Sequence, residues 1–461
     1  MKTRFLSILI LKACALGPFP VSSADRSLQQ VHDRPNVLFI AIDDLNVWVT
    51  HLGGHPQAIT PNIDRLADRG LTFENAFCAV PACEPSRAAL MSGQRPWSTG
   101  AYLNGDEWMQ IFEPGQGLSA RFKEAGYHTV GAGKIHHSKE FFPSEWTEYM
   151  DSSHLKPHGG VPKQQGYHEP LVMDIKDEDI ADWYTVSWCI EQMNTKPDKP
   201  KFIAAGLIKP HLPFAPPKKY YDAFPLEGIQ LPPYKSDDLD DLLEAGKHLA
   251  IRNNDFKRFQ ENGRWKAAIR SYLATCVYTD MNVGRLLDGL DKSPIADNTI
   301  IVLWGDHGWS LGEKNHFRKF ALWEEPTQMP YIWVVPEMTQ AGTRSSAPVD
   351  LMSVYPTLCE LAGLDLPESL DGVSIVPLLE EPRQYWGIPA ITTYGRGNHT
   401  IRSDRWRYIR YADGSEELYD HSKDPNEWTN LTGHAELSHV KTRLAAWLPN
   451  FEVPVWPGRE E

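Results

Sequence analysis

Pro35-Asn36-Val37-Leu38-Phe39-Ile40-Ala41-Ile42, cut off by Asp43-Asp44, is the stretch that decides the fold class. An unbroken apolar run of this length predicts a strand buried on both faces, as in a parallel sheet covered by helices. The same form recurs at residues 128–133, ending in Lys134, and at 202–207, ending near Lys209-Pro210-His211. It recurs again at 300–304, ending in Gly305-Asp306-His307-Gly308, and at 331–335, closed by Pro336. Helical patterns alternate with these runs. Residues 61–70 have a proline in the first turn and a glycine stop; 119–126 and 350–362 have similar stops. Residues 265–290 space Ile269, Leu273, Cys276, Val277, Val283, Leu286 and Leu287 at helical intervals. The alternation predicts an α/β fold with a mostly parallel central sheet flanked by helices. In such sheets functional groups gather beyond the carboxyl ends of the strands. Asp43, Asp44, Lys134, His211, Asp306 and His307 all stand at such ends.

Outward from this core the pattern changes twice. The polar stretch 237–262 breaks the alternation and reads as a surface insertion. From Ala390 short strand patterns follow one another, separated by polar turns such as Asp413-Gly414, and residues 435–448 form a closing helical pattern. A smaller C-terminal antiparallel α+β subdomain is therefore expected over 386–461, after a main body over 25–385. Residues 1–24 have the form of a signal peptide: Lys2 and Arg4, an apolar stretch interrupted by Lys12, then Ser22-Ser23-Ala24. Its loss removes three positive charges from a chain whose net charge is already −14. No later stretch approaches the roughly 20 apolar residues needed to span a membrane. A secreted or periplasmic protein is expected, or one in a lysosome-like compartment of a eukaryote. So acidic a chain does not suit nucleic acid, whose phosphates need Lys and Arg. Six cysteines without metal-type spacing read as buried free thiols, Cys83 apart.

Two adjacent carboxylates at a strand end repel, and a cation is their natural partner. Asp43, Asp44 and Asp306 supply oxygen ligands suited to a hard ion, calcium or magnesium. His307 either ligates through a ring nitrogen or donates from it to a substrate. The run Cys83-Glu84-Pro85-Ser86-Arg87, with Leu90 and Gly93 beyond, has no evident packing rationale.

That run resembles the signature of the type I sulfatases. Asp43-Asp44, the Cys83 run, Gly133-Lys134, Lys209-Pro210-His211 and Gly305-Asp306-His307-Gly308 follow the order and approximate spacing of that family over nearly 300 residues. Lys209-Pro210-His211-Leu212-Pro213-Phe214, and Trp309-Ser310-Leu311-Gly312-Glu313 with Lys319, are most similar to the iduronate-2-sulfatase branch. The resemblance implies an alkaline-phosphatase-like catalytic domain over 25–385. It implies that a formylglycine-generating maturation enzyme oxidises Cys83 to formylglycine, whose hydrate is metal ligand and nucleophile towards sulfate sulfur. By the same resemblance Asp43, Asp44, Cys83, Asp306 and His307 hold one divalent cation, calcium with magnesium as the alternative. Arg87 holds the hydrate, Lys134 and Lys319 bind sulfate oxygens, His137 assists breakdown of the sulfated enzyme, and His211 protonates the leaving oxygen. His136 competes with its neighbour His137 for that place. Glu84 departs from the small residue usual after the cysteine, and Ser92-Gly93-Gln94-Arg95 departs from the more common Thr-Gly-Arg. The implied substrate is a sulfated saccharide of glycosaminoglycan or algal type. The alternatives are a phosphonate monoester or phosphodiester hydrolase of the same superfamily and a catalytically silent sugar-binding relative. Asn104, Trp108, Trp309 and Glu313 are candidate pocket-lining residues.

Overall fold

Asn36–Ile42 lies at the centre of an eight-stranded sheet in the computed structural model of the chain. The structure describes residues 34–105, 112, 114–137, 142–152, 154–156, 171–195, 199–252 and 254–456; the expected signal peptide and Trp108 lie outside these described residues. The strands run in the order Thr343–Ser345, Leu71–Phe73, Tyr331–Val334, Thr299–Gly305, Asn36–Ile42, Lys201–Leu207, His128–Gly133 and Glu148–Tyr149. All pairings are parallel except those of Tyr331–Val334, which runs antiparallel to both neighbours. Its apolar run is the same as that of a parallel strand, because direction is set by the connection and not by the residues that are buried.

The two-residue period of the central strand explains its composition. Leu38, Ile40 and Ile42 join one core with Ile269, Leu273 and Leu286 of the helix Trp265–Asp291. Val37, Phe39 and Ala41 point the other way, into a core with Leu90, Met91, Phe122 and Leu358. Register carries the strand ends to one level: Ile42 pairs with both Leu207 and Gly305, and Gly133 pairs with Gly206. The residues that follow these positions are Asp43, Ile208, Asp306 and Lys134, so the register itself assembles the site.

The stretch 237–262 is not a loose insertion. It forms the helices Glu244–Ile251 and Asp255–Glu261, and buries Leu242, Ala250, Phe256 and Phe259. These apolar positions are spaced for helices and are masked in the sequence by the charges between them. The C-terminal region forms the expected antiparallel sheet, Ala390–Thr393, His399–Arg402, Trp406–Arg410 and Glu416–Asp420 in sequential order, with the helix Ser438–Ala445. A buried ion-pair network ties it to the main sheet's loops. Arg407 Nε lies 2.6 Å from Glu427 Oε1, Arg402 Nε 3.0 Å from Glu324 Oε2, and His421 Nε2 2.9 Å from Glu427 Oε1. Glu324, His421 and Glu427 have a spacing that could hold an ion. Their carboxylates are already matched by two guanidinium groups, and against the cost of burial Arg402, His421 and Arg407 hold Glu324 well below the usual carboxylate range. Among the described residues, Cys78, Cys83, Cys189, Cys276 and Cys359 are all free and buried, and no helix is long and apolar enough to cross a membrane.

Candidate active site

Cys83 is the first residue of the helix Cys83–Ser92. Pro85 falls in the first turn, where its missing N–H costs no helical hydrogen bond. Arg87 lies one turn after Cys83 and therefore on the same face. The helix ends at Gly93 with φ 72°, a left-handed conformation that glycine adopts without penalty. This local geometry explains the spacing of the run: the cysteine sits at the positive end of the helix dipole and the arginine stands directly behind it.

Around Cys83 the strand-end residues converge. Lys319 Nζ lies 2.7 Å from Cys83 Sγ and 2.7 Å from Asp44 Oδ1. His307 Nε2 lies 3.4 Å from the same sulfur. Arg87, fully buried, donates from Nε to Asp306 Oδ2 at 2.9 Å, reaches Asp43 Oδ1 at 3.4 Å, and donates to the carbonyls of Lys134 and Ile135. Lys134 Nζ donates to Asp43 Oδ2 at 2.6 Å. His211 Nε2 lies 3.8 Å from Asp44 Oδ2. Asp44 itself has φ 61°, a left-handed conformation unusual for a non-glycine residue; there its N–H donates to Asp306 Oδ1 at 3.0 Å. Lys319 is presented by similar means, between Arg318 at φ 94° and Phe320 at φ 77°, with the His316 ring on its carbonyl at 2.7 Å.

The electrostatics call for a cation. Burial alone would raise Asp43, but Lys134, His211, Arg87 and Lys319 hold it well below the usual range. Burial, with Asp43 and Asp44 close by, pushes Asp306 up to about 7 against the pull of Arg87. Asp44 Oδ2 is buried without a hydrogen-bond partner. His307 Nδ1 faces the Gly308 carbonyl at 2.9 Å, so it carries the proton. Burial, reinforced by Lys319, lowers the ring to about 3. Its Nε2 lone pair then faces Asp44 Oδ1 at 3.3 Å and Asp306 Oδ1 at 3.4 Å. Lone pair against carboxylate is repulsive unless a positive ion lies between them. Asp43, Cys83, Asp306 and His307 bring one donor atom each within 4.8 Å of one another, as do Asp43, Asp44, Cys83 and His211. The residues present therefore fit a hard divalent cation. The sulfur itself is a poor match for such an ion, and burial, with Asp43 beside it, pushes the Cys83 thiol up, away from the thiolate.

A model of the sulfatase family matches residues 35–364, and a model described as N-sulphoglucosamine sulphohydrolase, C-terminal, matches residues 312–453. The chain belongs to the sulfatase family. It is a sulfuric ester hydrolase, and sulfatases in general use a formylglycine and a divalent metal. A sulfatase of Formosa agariphila is 38% identical over 97% of this chain and 92% of its own. The iduronate 2-sulfatase of Homo sapiens is 29% identical over 79% of this chain and 74% of its own. Among solved structures, the phosphonate monoester hydrolase of Agrobacterium radiobacter superposes with a TM-score of 0.74 at 20% identity, covering 90% of this chain and 94% of that one. At that identity the likeness concerns the fold.

The sequence-derived set meets in one place, with His137 at its edge. His136 turns inward against Phe142 and Trp146, and burial lowers it to about 3. His137 is exposed, its Nδ1 3.4 Å from Glu84 Oε2. Glu84, which looked out of place after the cysteine, thus has a structural role. Its N–H donates to Asn104 Oδ1 at 3.1 Å, and its carboxylate accepts the N–H of Gly105. Trp309 and Glu313 differ in place: Glu313 lines a cavity together with Glu324, Arg402 and His421, while Trp309 is buried. Trp309 is core beneath Lys319, and Glu313 Oε2 accepts the N–H of Leu311 at 2.7 Å. Sequence reasoning missed Ser86, whose Oγ donates to the Asp306 carbonyl at 2.6 Å, and Tyr272, whose hydroxyl donates to the Asp44 carbonyl at 2.9 Å. The only signal for Ser86 was its place in the Cys83 run; Tyr272 is one apolar position among many in a long helix. Glu84→Ala is expected to cost about 1 kcal/mol in denaturant unfolding, because it leaves the half-buried N–H of Gly105 without its charged acceptor. Glu84→Gln, which keeps an acceptor, should recover most of that loss.

Proposed function

We propose that this sulfatase removes ester sulfate from a saccharide that carries sulfated uronic acid residues, with Cys83 matured to formylglycine and one calcium ion held by Asp43, Asp44, residue 83, Asp306 and His307. The observation that carries the reading is the position of Cys83 Sγ, 2.7 Å from Lys319 Nζ and 3.4 Å from His307 Nε2 beside three buried carboxylates. When present, the ion draws charge from a sulfate oxygen and formylglycine supplies a hydroxyl nucleophile where the thiol now stands. The remaining work belongs to the chain. Arg87 stays between Asp306 and Asp43 and fixes the direction of residue 83. Lys134 and Lys319 turn from Asp43 and Asp44 towards the sulfate oxygens and stabilise charge that grows there. As the S–O bond to the sugar breaks, His211 Nε2 gives a proton to the leaving oxygen. His137, at the exposed edge, takes a proton from residue 83 when the sulfate is released.

Burial lowers His211 well below the usual histidine range, and Lys319 and Lys134 add to this while Asp43 opposes it. A sulfate ester bound between His211 and the lysines adds the negative charge that favours the protonated ring. The uronic acid substrate rests on the similarity to iduronate 2-sulfatase. Export, through the signal peptide over 1–24, brings the enzyme to extracellular or periplasmic polysaccharide and past a formylglycine-generating enzyme on the way.

The test is a desulfation screen of the matured enzyme on defined 2-O-sulfated uronate oligosaccharides and matched phosphate esters. Release of sulfate is expected; faster release of phosphate would overturn the reading. Metal removal gives a second check. Calcium at a hundred times its Kd should stabilise the fold by about 2.7 kcal/mol over the chelated protein, seen as a rise in melting temperature. An equal rise with magnesium at the same concentration would speak against calcium as the resident ion.

A further inference from the structure

His211 sits in a turn that two buried, oppositely charged side chains hold from inside. Asp182, on the first turn of the helix Ala181–Asn194 and 1% exposed, accepts the N–H of Ile208 at 2.9 Å and that of Lys209 at 2.8 Å. Lys209 is fully buried, and its ammonium does not reach a sulfate pocket. It turns back into its own loop, donating to the Pro213 carbonyl at 2.6 Å and the His211 carbonyl at 3.3 Å. The His211 N–H returns to the Ile208 carbonyl at 2.9 Å. The carboxylate thus anchors the start of the turn, and the ammonium gathers carbonyls at and beyond His211.

The ring is set by the same turn. His211 Nδ1 faces the Leu212 carbonyl at 2.7 Å, so Nδ1 carries a proton and Nε2 is aimed at the site, towards Asp44. The carbonyl of Leu212 lies between the two that Lys209 holds. Moving Lys209 therefore moves the acceptor that fixes the ring.

We propose that Asp182 and Lys209 are positioning residues for His211, which hold its Nε2 in line with the leaving oxygen of the sulfate ester. This rests on the reading of His211 as the leaving-group acid. A displacement of about 1 Å in a reacting group can cost up to about a hundredfold in rate, and two buried charged side chains that served stability alone would leave the proton transfer untouched.

The test uses the matured enzyme and a saccharide sulfate that it cleaves. Lys209→Met, Asp182→Asn and His211→Ala are compared for kcat, KM and the oxygen-18 isotope effect at the bridging oxygen. Lys209→Met is expected to lower kcat about ten- to a hundredfold with KM nearly unchanged, and to raise the isotope effect towards that of His211→Ala, since the oxygen then leaves without its proton. Asp182→Asn, which keeps the shape, should shift both in the same direction by less. The isotope effect is a property of the turning-over molecules, so a smaller folded fraction cannot imitate it. An isotope effect equal to that of the unchanged enzyme in both variants, whatever happens to kcat, overturns the proposal. If His211→Ala itself leaves the isotope effect unchanged, the reading of His211 as the acid fails instead.

Discussion

Cys83→Ala is expected to lower sulfate ester turnover by about 10⁴-fold or more, the scale on which covalent catalysts fail when the nucleophile is removed. The surrounding charges should survive the change: Arg87 keeps Asp306 and Asp43, and Lys319 keeps Asp44. The variant should therefore fold and still bind substrate, which separates loss of chemistry from loss of structure. Cys83→Ser is expected to be nearly as poor. A serine in this place has a hydroxyl, but its sulfate ester has no second hydroxyl through which to break down. Mass analysis of the peptide that contains residue 83 must accompany the assay. An unconverted Cys83 leaves the thiol that burial has pushed up and should be as inactive as the variants. Activity in the alanine variant within tenfold of the unchanged enzyme would remove Cys83 from the mechanism.

Arg87→Met should have the largest effect on stability. The guanidinium is fully buried and satisfies Asp306, Asp43 and two backbone carbonyls. Methionine fills much of the volume but leaves buried Asp306 without its guanidinium and, among the described residues, Asp43 with Lys134 alone as ion-pair partner, a change that typically costs about 3–5 kcal/mol. Asp306, already at about 7, would shift further up and lose its charge at neutral pH. A divalent ion offsets part of this loss because it meets the same carboxylates. The expected signature is a melting temperature well below that of the unchanged protein in chelator, with the gap narrowed by calcium. A gap of under 1 kcal/mol in chelator would show that the carboxylates do not depend on Arg87.

The strand ends were legible because parallel strands buried on both faces must be apolar throughout, so that Asp43, Lys134 and Asp306 stand out where each run stops. The Cys83 run was legible through its resemblance, and the helix explains it: Cys83 and Arg87 are four apart because one turn separates them. Other parts of the site had no such signal. Asp182 lies in a helix with no motif and reaches the site only through the backbone of Ile208 and Lys209. Glu84 read as a departure from pattern, since its partners Asn104, Gly105 and His137 are brought to it by folding. The helices within 237–262 were hidden because burial there is shared among scattered residues.

By itself, the order of residues determined the class of fold, the level in the sheet at which the chemistry stands, and the types of side chain that gather there. These follow from local rules: apolar runs, helical spacing and the few residue types able to bind cations or anions. Tertiary structure alone decided that Tyr331–Val334 runs antiparallel, that His137 rather than His136 is turned to Glu84, and that Lys209 grips its own loop. The physical reason is shared. Each depends on which way a side chain or strand faces once distant segments have packed, and composition and spacing contain no term for direction between residues far apart in the chain.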